Sequence, residues 1–204
     1  MASMAGTTLM TTAAWDLWQN MKHSEKLGVQ QRVEEFSVVA GVLLALQPRH
    51  ILEIGVYGGG SFALWCSLAN GIKIGIDSGN IDGPIHHRMP DFQARFGDVR
   101  LIKANSQDAA TLEQVKTMLA GEPLDFLFID GDHTLQGVQQ DYSMYGALVR
   151  PGGWIGLHDI TESDYHKGMN AGGSAEHWAR LDHPRKISLD WHDPGYGIGL
   201  VQVM

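Results

Sequence analysis

The sequence has almost no cysteine, no long apolar run and a shortage of positive charge. Its single cysteine, Cys66, excludes an intramolecular disulfide and a cysteine zinc cluster, and it fits a reducing cytoplasm. No apolar run approaches the roughly 18 residues of a transmembrane helix, and residues 1–12 lack the basic and apolar blocks of a signal peptide. We therefore expect a cytoplasmic protein with no membrane partner.

The charge and size of the chain limit the classes of partner that it can bind. Fifteen Lys and Arg residues against 23 Asp and Glu residues give a formal net charge of −8. That charge disfavours attraction to a phosphate backbone, so we expect a small-molecule substrate and no nucleic acid. With 204 residues, 44% of them hydrophobic, the chain is predicted to fold as one domain over residues 1–204, and a homo-oligomer is left open.

Short apolar runs alternate with helical periods along most of the chain. Two helices are predicted within residues 1–48, as a candidate lid over a core formed by residues 49–204. Buried strands are predicted at residues 50–54, 72–76, 100–104, 124–129 and 154–157, because these apolar runs are short and bounded by Gly, Asp or Pro. Apolar residues at helical spacing predict helices at residues 61–69, 108–120 and 134–149. Segment 78–99 contains Gly-Pro and Met-Pro and is predicted to be a long loop with at most one helical turn.

The C-terminal part has a different pattern. A short helix is predicted at residues 174–181, followed by strands at residues 186–190 and 196–203 that a turn at residues 191–195 joins into an antiparallel hairpin. Alternating strands and helices that end in a hairpin are typical of an α/β fold, here a Rossmann-like three-layer sandwich. Its predicted sheet is seven-stranded and mostly parallel, ending in the antiparallel hairpin.

A glycine-rich turn, residues 55–60, follows the first predicted strand, and Glu53 precedes it. Backbone without side chains lets a ligand approach closely. A dinucleotide fingerprint should begin near Gly55, yet Tyr57 stands where its second glycine is required. Asp77 ends the second predicted strand, where a carboxylate can accept hydrogen bonds from ribose hydroxyls in dinucleotide and other nucleoside sites alike. The turn therefore predicts a nucleoside ligand.

Polar side chains also follow the fourth and fifth predicted strands. Asp130 and His133 belong to an Asp-Gly-Asp-His turn, and His158 and Asp159 end the next strand. Because these strand ends share one edge of a parallel sheet, the two carboxylates are expected to face each other and to suit a divalent cation such as Mg²⁺. His133 is then a candidate general base, since imidazole titrates near neutral pH. The plainer alternatives are an Asx turn at Asp130 and Asp132, and a structural His158 bonded to backbone.

Together these motifs resemble class I S-adenosylmethionine-dependent methyltransferases, in the branch of macrocin-type sugar O-methyltransferases and the proteins called cephalosporin hydroxylases. The resemblance covers residues 44–203. It implies that S-adenosylmethionine is the cofactor and that Asp77 binds its ribose. Ser106 would read the adenine edge, although Ser106 or Asp108 could instead cap the next helix. The remaining cofactor-binding residues that it implies are Glu53, Gly55, Tyr57, Gly58, Ser61 and Asp130.

The same resemblance assigns residues to the metal site and to the general base. Asp130, His158 and Asp159 would hold the cation, and His133 would take the proton. His158 departs from the family, which has Glu or Asp there, and an imidazole tolerates Mn²⁺, Fe²⁺ or Zn²⁺ better than Mg²⁺. The predicted function is metal-assisted methylation of a hydroxyl on a sugar, a phenol or catechol, or a natural product. The alternatives are an NAD(P)-dependent oxidoreductase and a non-catalytic nucleoside-binding protein.

Overall fold

The computed structural model of the chain describes residues 32–79, 85–164, 171–190 and 196–204. These residues form one seven-stranded sheet in the order β3-β2-β1-β4-β5-β7-β6. The strands are β1 (Ile51–Ile54), β2 (Lys73–Asp77), β3 (Val99–Lys103), β4 (Leu124–Ile129), β5 (Val149–His158), β6 (Lys186–Leu189) and β7 (Ile198–Gln202). The helices are α1 (Val33–Leu46), α2 (Gly60–Leu68), α3 (Ile85–Phe96), α4 (Ala109–Leu119), α5 (Leu135–Gly146) and α6 (Gly173–Arg180).

The sheet is parallel from β3 to β5 and antiparallel at the other end. All residues of β1 and β4 are buried, because helices cover both faces of the sheet centre. β7 runs antiparallel to both β5 and β6. The predicted Rossmann-like sandwich with a mostly parallel seven-stranded sheet and a terminal hairpin is therefore confirmed.

Two apolar layers fix the helices on the sheet. On one face, α1, α2 and α3 pack around Trp65, whose ring meets the rings of Phe36, Phe126 and Phe128 with centroids 5.1–5.5 Å apart. On the other face, α4, α5 and α6 pack on the sheet through residues such as Val115, which is fully buried. Burial of these layers from water is the main force that holds the helices against the strands.

The prediction of a loop over residues 78–99 is wrong, because α3 occupies most of its second half. Ile85, Met89, Phe92 and Phe96 recur at spacings of four and three, and they pack on the first apolar layer. Pro90 lies inside this helix, where it cannot donate a backbone hydrogen bond. Burial of the apolar face outweighs that loss, which is why two proline signals misled the prediction.

Several element boundaries also differ from the prediction. β5 begins at Val149 rather than at 154 and passes through Pro151, with a shift of register against β4 between Leu124 and Phe126. By contrast, α1 ends where expected, because Gln47 adopts a left-handed conformation (φ 52°) directly before Pro48.

The predicted first helix and the turn at 191–195 lie outside the described residues, so the lid stays a prediction. None of the described helices is long and apolar enough to cross a membrane.

Candidate active site

The order in which successive strands are added to the sheet reverses between β1 and β4, at the middle of the sheet. From β1 it continues outwards to β2 and β3, whereas from β4 it continues to β5 on the other side. In open α/β sheets, ligands bind at the carboxyl ends of the strands beside such a switch point. Gly55 follows β1 and Asp130 follows β4 at this point, and Ile54 and Ile129 pair directly.

The glycine turn packs against the turn after β4. Gly55 has φ 87°, and a Cβ atom there would lie 2.0 Å from the carbonyl oxygen of Asp130, so a side chain cannot be accommodated. Gly59 has φ 88°, and a Cβ atom would lie 2.7 Å from Ile85 Cδ1 of α3. Close approach to backbone therefore requires glycine at residue 55, and the positive φ favours glycine at residue 59.

Glu53 lies beneath this turn rather than on its surface. The side chain is fully buried and accepts a hydrogen bond from the hydroxyl of Ser61, at the start of α2. Burial raises the pKa of Glu53 well above its usual value, with the charges of Asp130 and Asp77 adding to the rise and Ser61 opposing it. This contact fixes the beginning of α2, so Glu53 and Ser61 support the backbone of the turn.

The carboxylate of Asp77 is oriented by two backbone amides. Tyr57 donates to one oxygen and Gly79 to the other, each at 2.7 Å. Tyr57 reaches this position with φ 47°, a conformation that few non-glycine residues adopt. A carboxylate has about four acceptor sites, so two are left for further donors, such as the ribose hydroxyls of the predicted ligand.

The segment after β3 is tied to α5. Tyr145 donates a hydrogen bond of 2.6 Å to the carbonyl oxygen of Ser106, and Gln140 donates one of 3.0 Å to that of Gln107. The Gln107 side chain donates to Asp132 at 3.0 Å. Asp108 occupies the N-cap position of α4, but its side chain makes no capping hydrogen bond. The segment 105–108, the adenine segment of the predicted site, is thereby linked to the turn after β4.

Two histidines and two aspartates meet where β4 and β5 end. His133 lies 3.2 Å from Asp130 Oδ1 through Nε2 and 3.0 Å from Asp159 Oδ2 through Nδ1. His158 Nδ1 lies 3.0 Å from both Asp130 Oδ1 and Asp159 Oδ1. Asp159 has φ 57°, a conformation that usually signals a local constraint in a non-glycine residue. The four predicted residues therefore form one connected cluster.

The ligand atoms that could surround one cation come from Asp130, His133 and Asp159. These atoms all lie within 4.8 Å of one another. The predicted metal set contained His158 in place of His133; His158 is 5% exposed and faces both carboxylates through a single nitrogen. His158 hydrogen-bonds Asp130 and lies 3.0 Å from Asp159, so it aligns the two carboxylates, and its ligation of a cation stays a prediction.

Electrostatics within the cluster favour charged side chains. Burial alone would raise the pKa of Asp130, but the charges and hydrogen bonds of His158 and His133 outweigh it and hold the pKa well below its ordinary value. Burial disfavours the charged form of His133, yet hydrogen bonds and charges from Asp130 and Asp159 raise its pKa to about 10. The same two carboxylates raise the pKa of His158 against burial. In the chain alone, His133 is therefore an imidazolium at neutral pH.

The Asx-turn alternative holds for one of the two aspartates. Asp132 Oδ1 accepts a hydrogen bond of 2.9 Å from the backbone of Thr134, and Thr134 in turn caps α5 by accepting from Gly137. Asp130 instead faces His133 and His158. Local turn chemistry thus uses Asp132 and leaves Asp130 to the cluster.

Two buried acids near the site were not predicted. Glu35 of α1 is 1% exposed; burial raises its pKa, while the charges of His158 and Arg32 and the backbone of Gly197 oppose the rise. Asp141 of α5 is fully buried near Ser106. The signal was present in the sequence, since Glu35 precedes the core residue Val39 by one helical turn and Asp141 follows Val138 by three residues.

A family model and a curated protein each match part of this chain. Residues 52–160 match the model of the family Methyltransf_24, described as a methyltransferase domain. An uncharacterized protein of Acanthamoeba polyphaga mimivirus is 36% identical over 116 residues, 54% of this chain and 51% of that protein. The chain thus spans about half the length of the curated relative that it matches.

Solved structures share the fold at low sequence identity. An O-methyltransferase from Bacillus cereus in complex with SAH has a TM-score of 0.65 at 20% identity, and the match covers 91% of this chain and 90% of that one. A methyltransferase of the mycinamycin biosynthetic pathway, in complex with Mg, SAH and mycinamycin VI, has a TM-score of 0.50 at 21% identity, covering 76% of this chain and 45% of that one. These likenesses confirm the predicted fold.

Proposed function

This chain belongs to the methyltransferase family that matches residues 52–160, which confirms the resemblance to class I S-adenosylmethionine-dependent methyltransferases, and we propose that it methylates a small-molecule hydroxyl with the help of a divalent cation. The observation that carries the proposal is the direct contact between the glycine turn and the Asp130 turn. A Cβ atom on Gly55 would overlap the carbonyl oxygen of Asp130, so the predicted donor site and the acid cluster share one wall.

The donor side of the pocket fits S-adenosylmethionine. The turn over residues 55–60 offers backbone that can contact the methionine part, and Asp77 has acceptor sites left for the ribose. Ser106 lies on the segment that would meet the adenine. S-adenosylmethionine supplies a methyl group on a positively charged sulfur, an already activated donor. The chain's own contribution is to bind and orient the two reactants, which supplies a large part of the acceleration in such reactions.

The acid cluster fits a divalent cation. Asp130 and Asp159 provide carboxylate oxygens within 4.8 Å of one another, beside the His133 ring, which the proposal reserves for proton transfer. Oxygen ligands suit Mg²⁺, whereas an imidazole ligand such as the predicted His158 also admits Mn²⁺, Fe²⁺ or Zn²⁺. A bound cation would orient the acceptor hydroxyl and make it more acidic. The published complex of the mycinamycin-pathway methyltransferase contains Mg, which supports the same choice here.

His133 is the proposed proton acceptor. In the chain alone, its pKa of about 10 keeps it protonated, because two carboxylates surround it. Asp130 and Asp159 would hold the cation, whose positive charge would oppose the imidazolium and lower the pKa of His133 towards neutral, so that His133 could act as a base. The acceptor oxygen then forms a bond to the methyl carbon as the bond from carbon to sulfur breaks, and the hydroxyl proton passes to His133.

The proposal is tested by isothermal titration calorimetry with S-adenosylmethionine, with and without EDTA, followed by methyl transfer to a panel of sugars and catechols. We expect binding of the donor, and turnover that EDTA abolishes and Mg²⁺ or Mn²⁺ restores. Asp130→Asn, His133→Gln and Asp159→Asn should each lower turnover by at least about 100-fold. Asp182→Asn, an exposed acid after α6, is the matched control and should behave as the unaltered chain.

Two outcomes contradict the proposal at different points. No heat with S-adenosylmethionine refutes the donor assignment. Turnover that EDTA and all three substitutions leave unchanged refutes the metal and the base but not the methyl transfer. Titration with NADH checks the oxidoreductase alternative, for which the position of Tyr57 in the turn predicts no binding.

A further inference from the structure

Helix α3 contacts three consecutive residues of the glycine turn, and the proposed mechanism does not use these contacts. The backbone nitrogen of Ile85 donates a hydrogen bond of 3.3 Å to the carbonyl oxygen of Tyr57. Arg88 Nη1 donates one of 2.9 Å to the carbonyl oxygen of Gly58. A Cβ atom on Gly59 would lie 2.7 Å from Ile85 Cδ1. The start of α3 therefore forms one wall of the turn.

The residues of α3 that meet the turn lie on one face of the helix. Ile85, Arg88 and Phe92 recur at spacings of three and four, so their side chains lie one above the other. Ile85 and Phe92 are buried, and both lie close to the Cβ position of Gly59. Arg88 is partly buried between them. It therefore belongs to the face that packs on the turn and not to the solvated face of α3.

α3 is also held by contacts away from the turn. Phe92 stacks on Phe62 of α2, with ring centroids 6.0 Å apart. At the other end of the helix, Lys73 Nζ donates to the carbonyl oxygen of Phe96 at 2.9 Å. The Gln93 side chain donates to the backbone of β3 at 3.1 Å. Because α2, β2 and β3 anchor the helix, its start can act as a fixed support for the turn.

Arg88 uses its charged group on a neutral backbone carbonyl. In the part of the chain that the structure describes, the guanidinium pairs with no carboxylate, and Gly58 is its hydrogen-bond partner. A charged donor forms a shorter and stronger hydrogen bond than a neutral one. Residues 58–60 are three consecutive glycines, which lose more conformational freedom on ordering than other residues do. A strong bond from outside the turn offsets part of that cost.

We propose that Arg88 is a positioning residue for the methyl donor: its guanidinium holds the Gly58 carbonyl and so keeps the glycine turn in the conformation that meets the methionine part. The inference rests on the donor site of the proposed function and adds a residue to it. A turn that is ordered beforehand loses little freedom when the donor binds, so binding is stronger. Arg88 acts through the turn and does not itself contact the donor.

The first test compares the unaltered chain with Arg88→Met, which keeps a long unbranched side chain but has no N–H donor. The dissociation constant for S-adenosylmethionine, measured by calorimetry, should rise about tenfold, the effect of losing one charged hydrogen bond. Arg88→Lys keeps a charged donor and should have an affinity between those of Arg88→Met and the unaltered chain. His87→Gln, an exposed neighbour on α3, is the control and should bind like the unaltered chain.

Kinetics and thermal unfolding separate this role from a merely structural one. In Arg88→Met, the KM for S-adenosylmethionine should rise about tenfold while kcat changes less than about twofold, because the residue does not touch the reacting atoms. The melting temperature should fall by no more than about 3 °C, as expected for one partly exposed hydrogen bond in a chain of this size. A fall in kcat with an unchanged KM would contradict the proposal.

A donor without its carboxylate separates action through the turn from direct contact with the ligand. Arg88→Met should weaken the binding of decarboxylated S-adenosylmethionine by the same factor as that of S-adenosylmethionine, because both ligands meet the same turn. If only the donor with a carboxylate binds more weakly, the guanidinium binds that carboxylate directly, and the positioning role is wrong.

Failure of this inference can be told from failure of the proposed function. If Arg88→Met binds the donor like the unaltered chain, the inference is refuted while the methyltransferase proposal stands. Weaker binding that follows only from a loss of folded chain at the assay temperature also refutes it. If the unaltered chain binds no S-adenosylmethionine, the proposed function and the inference fall together.

Discussion

The side chain of His133 shows how two neighbours set the chemistry of one residue. It lies between Asp130 and Asp159, at 3.2 and 3.0 Å. Its pKa of about 10 means that the proton stays on the ring through the physiological range when the chain is alone. A cation bound by the same carboxylates must compete with that proton, since both charges are positive.

Binding of Mg²⁺ at pH 7.5 should therefore release about one proton, from His133. The measurement is calorimetry in two buffers that differ in their enthalpy of protonation, with the released protons obtained from the difference in heat. His133→Asn keeps a polar group of similar size but has no titratable proton, and it should release none. Equal proton release by the variant would show that the proton comes from elsewhere.

At the residue scale, the sequence predicted the side chains that stand at strand ends and missed those inside helices. Asp130, His133, His158 and Asp159 follow apolar strands, where a polar residue has few roles other than a turn or a site. Asp141 and Glu35 occupy core faces of helices, where one acid among apolar residues attracts little notice. The choice between His133 and His158 as a cation ligand depends on side-chain directions, which residue spacing does not determine.

The start of α6 contacts the backbone beside the site through a glycine, Gly173. A Cβ atom on Gly173 would lie 2.0 Å from the backbone nitrogen of Leu135, and Gly173 itself donates to the carbonyl oxygen of His133 at 2.9 Å. The start of α6 thus packs directly on the backbone that carries His133. Any side chain at this position has to push α5 and α6 apart.

Gly173→Ala should lower the free energy of unfolding by about 2–3 kcal/mol, measured by urea denaturation, and should lower turnover as well because His133 moves. Gly41→Ala is the matched control. Gly41 lies inside α1 with nothing within 4 Å of its Cβ position, so alanine there should raise stability by about 0.5–1 kcal/mol. If both substitutions stabilise the chain, the close packing of α6 on α5 is wrong.

Asp125 joins β4 to β5 and to the segment before β1, at the amino-terminal ends of the parallel strands, opposite the site. Its carboxylate accepts hydrogen bonds from the backbone of Arg49 and His50, at 2.8 and 2.9 Å, and from Arg150 Nε at 2.6 Å. Burial works against ionisation, but these donors outweigh it and lower the pKa of Asp125. A lowered pKa stabilises the fold above the unfolded value near 4, and the contribution is lost as the pH falls.

Asp125→Asn should therefore cost about 2 kcal/mol of unfolding free energy at pH 7, with the difference shrinking below pH 4. Urea denaturation at a series of pH values measures it. Donor affinity should stay unchanged, because the residue lies at the amino-terminal edge of the sheet. A loss of affinity without a loss of stability would contradict this assignment.

The boundaries of an element could be predicted from the sequence where polar or glycine residues interrupt an apolar run. The five parallel strands and the C-terminal hairpin were predicted in this way. α3 was missed because Pro90 hid an apolar period that begins at Ile85 and ends at Phe96. Local signals for a break are outweighed there by tertiary burial, an effect that local sequence signals do not include.

At the scale of the whole molecule, the acidic composition agrees with a cationic ligand. The net charge of −8 would lower the cost of binding the proposed divalent cation and the positively charged donor in one crevice. The fold class followed from the alternation of strands and helices alone. The order β3-β2-β1-β4-β5-β7-β6, with β7 placed between β5 and β6, required the structure, because an antiparallel pair can add to an edge in more than one order.

Ligand binding should stabilise the folded chain as a whole. A cation at about 100 times its dissociation constant adds about 2.7 kcal/mol to the unfolding free energy, which raises the melting temperature by several degrees. Differential scanning fluorimetry with MgCl₂ or MnCl₂ measures this shift. A double variant, Asp130→Asn with Asp159→Asn, should show no shift, and an unchanged shift would place the cation elsewhere.

The overlap that any side chain on Gly55 would have with Asp130 sets a limit on directed evolution of this enzyme. The two turns meet without a gap, so a side chain at residue 55, on the proposed donor side, would displace the backbone of Asp130, on the proposed acceptor side. Variation is better placed in residues 161–164 and 171–172, which follow β5 and precede α6 outside this contact. Libraries that randomise residue 55 should yield inactive clones almost throughout.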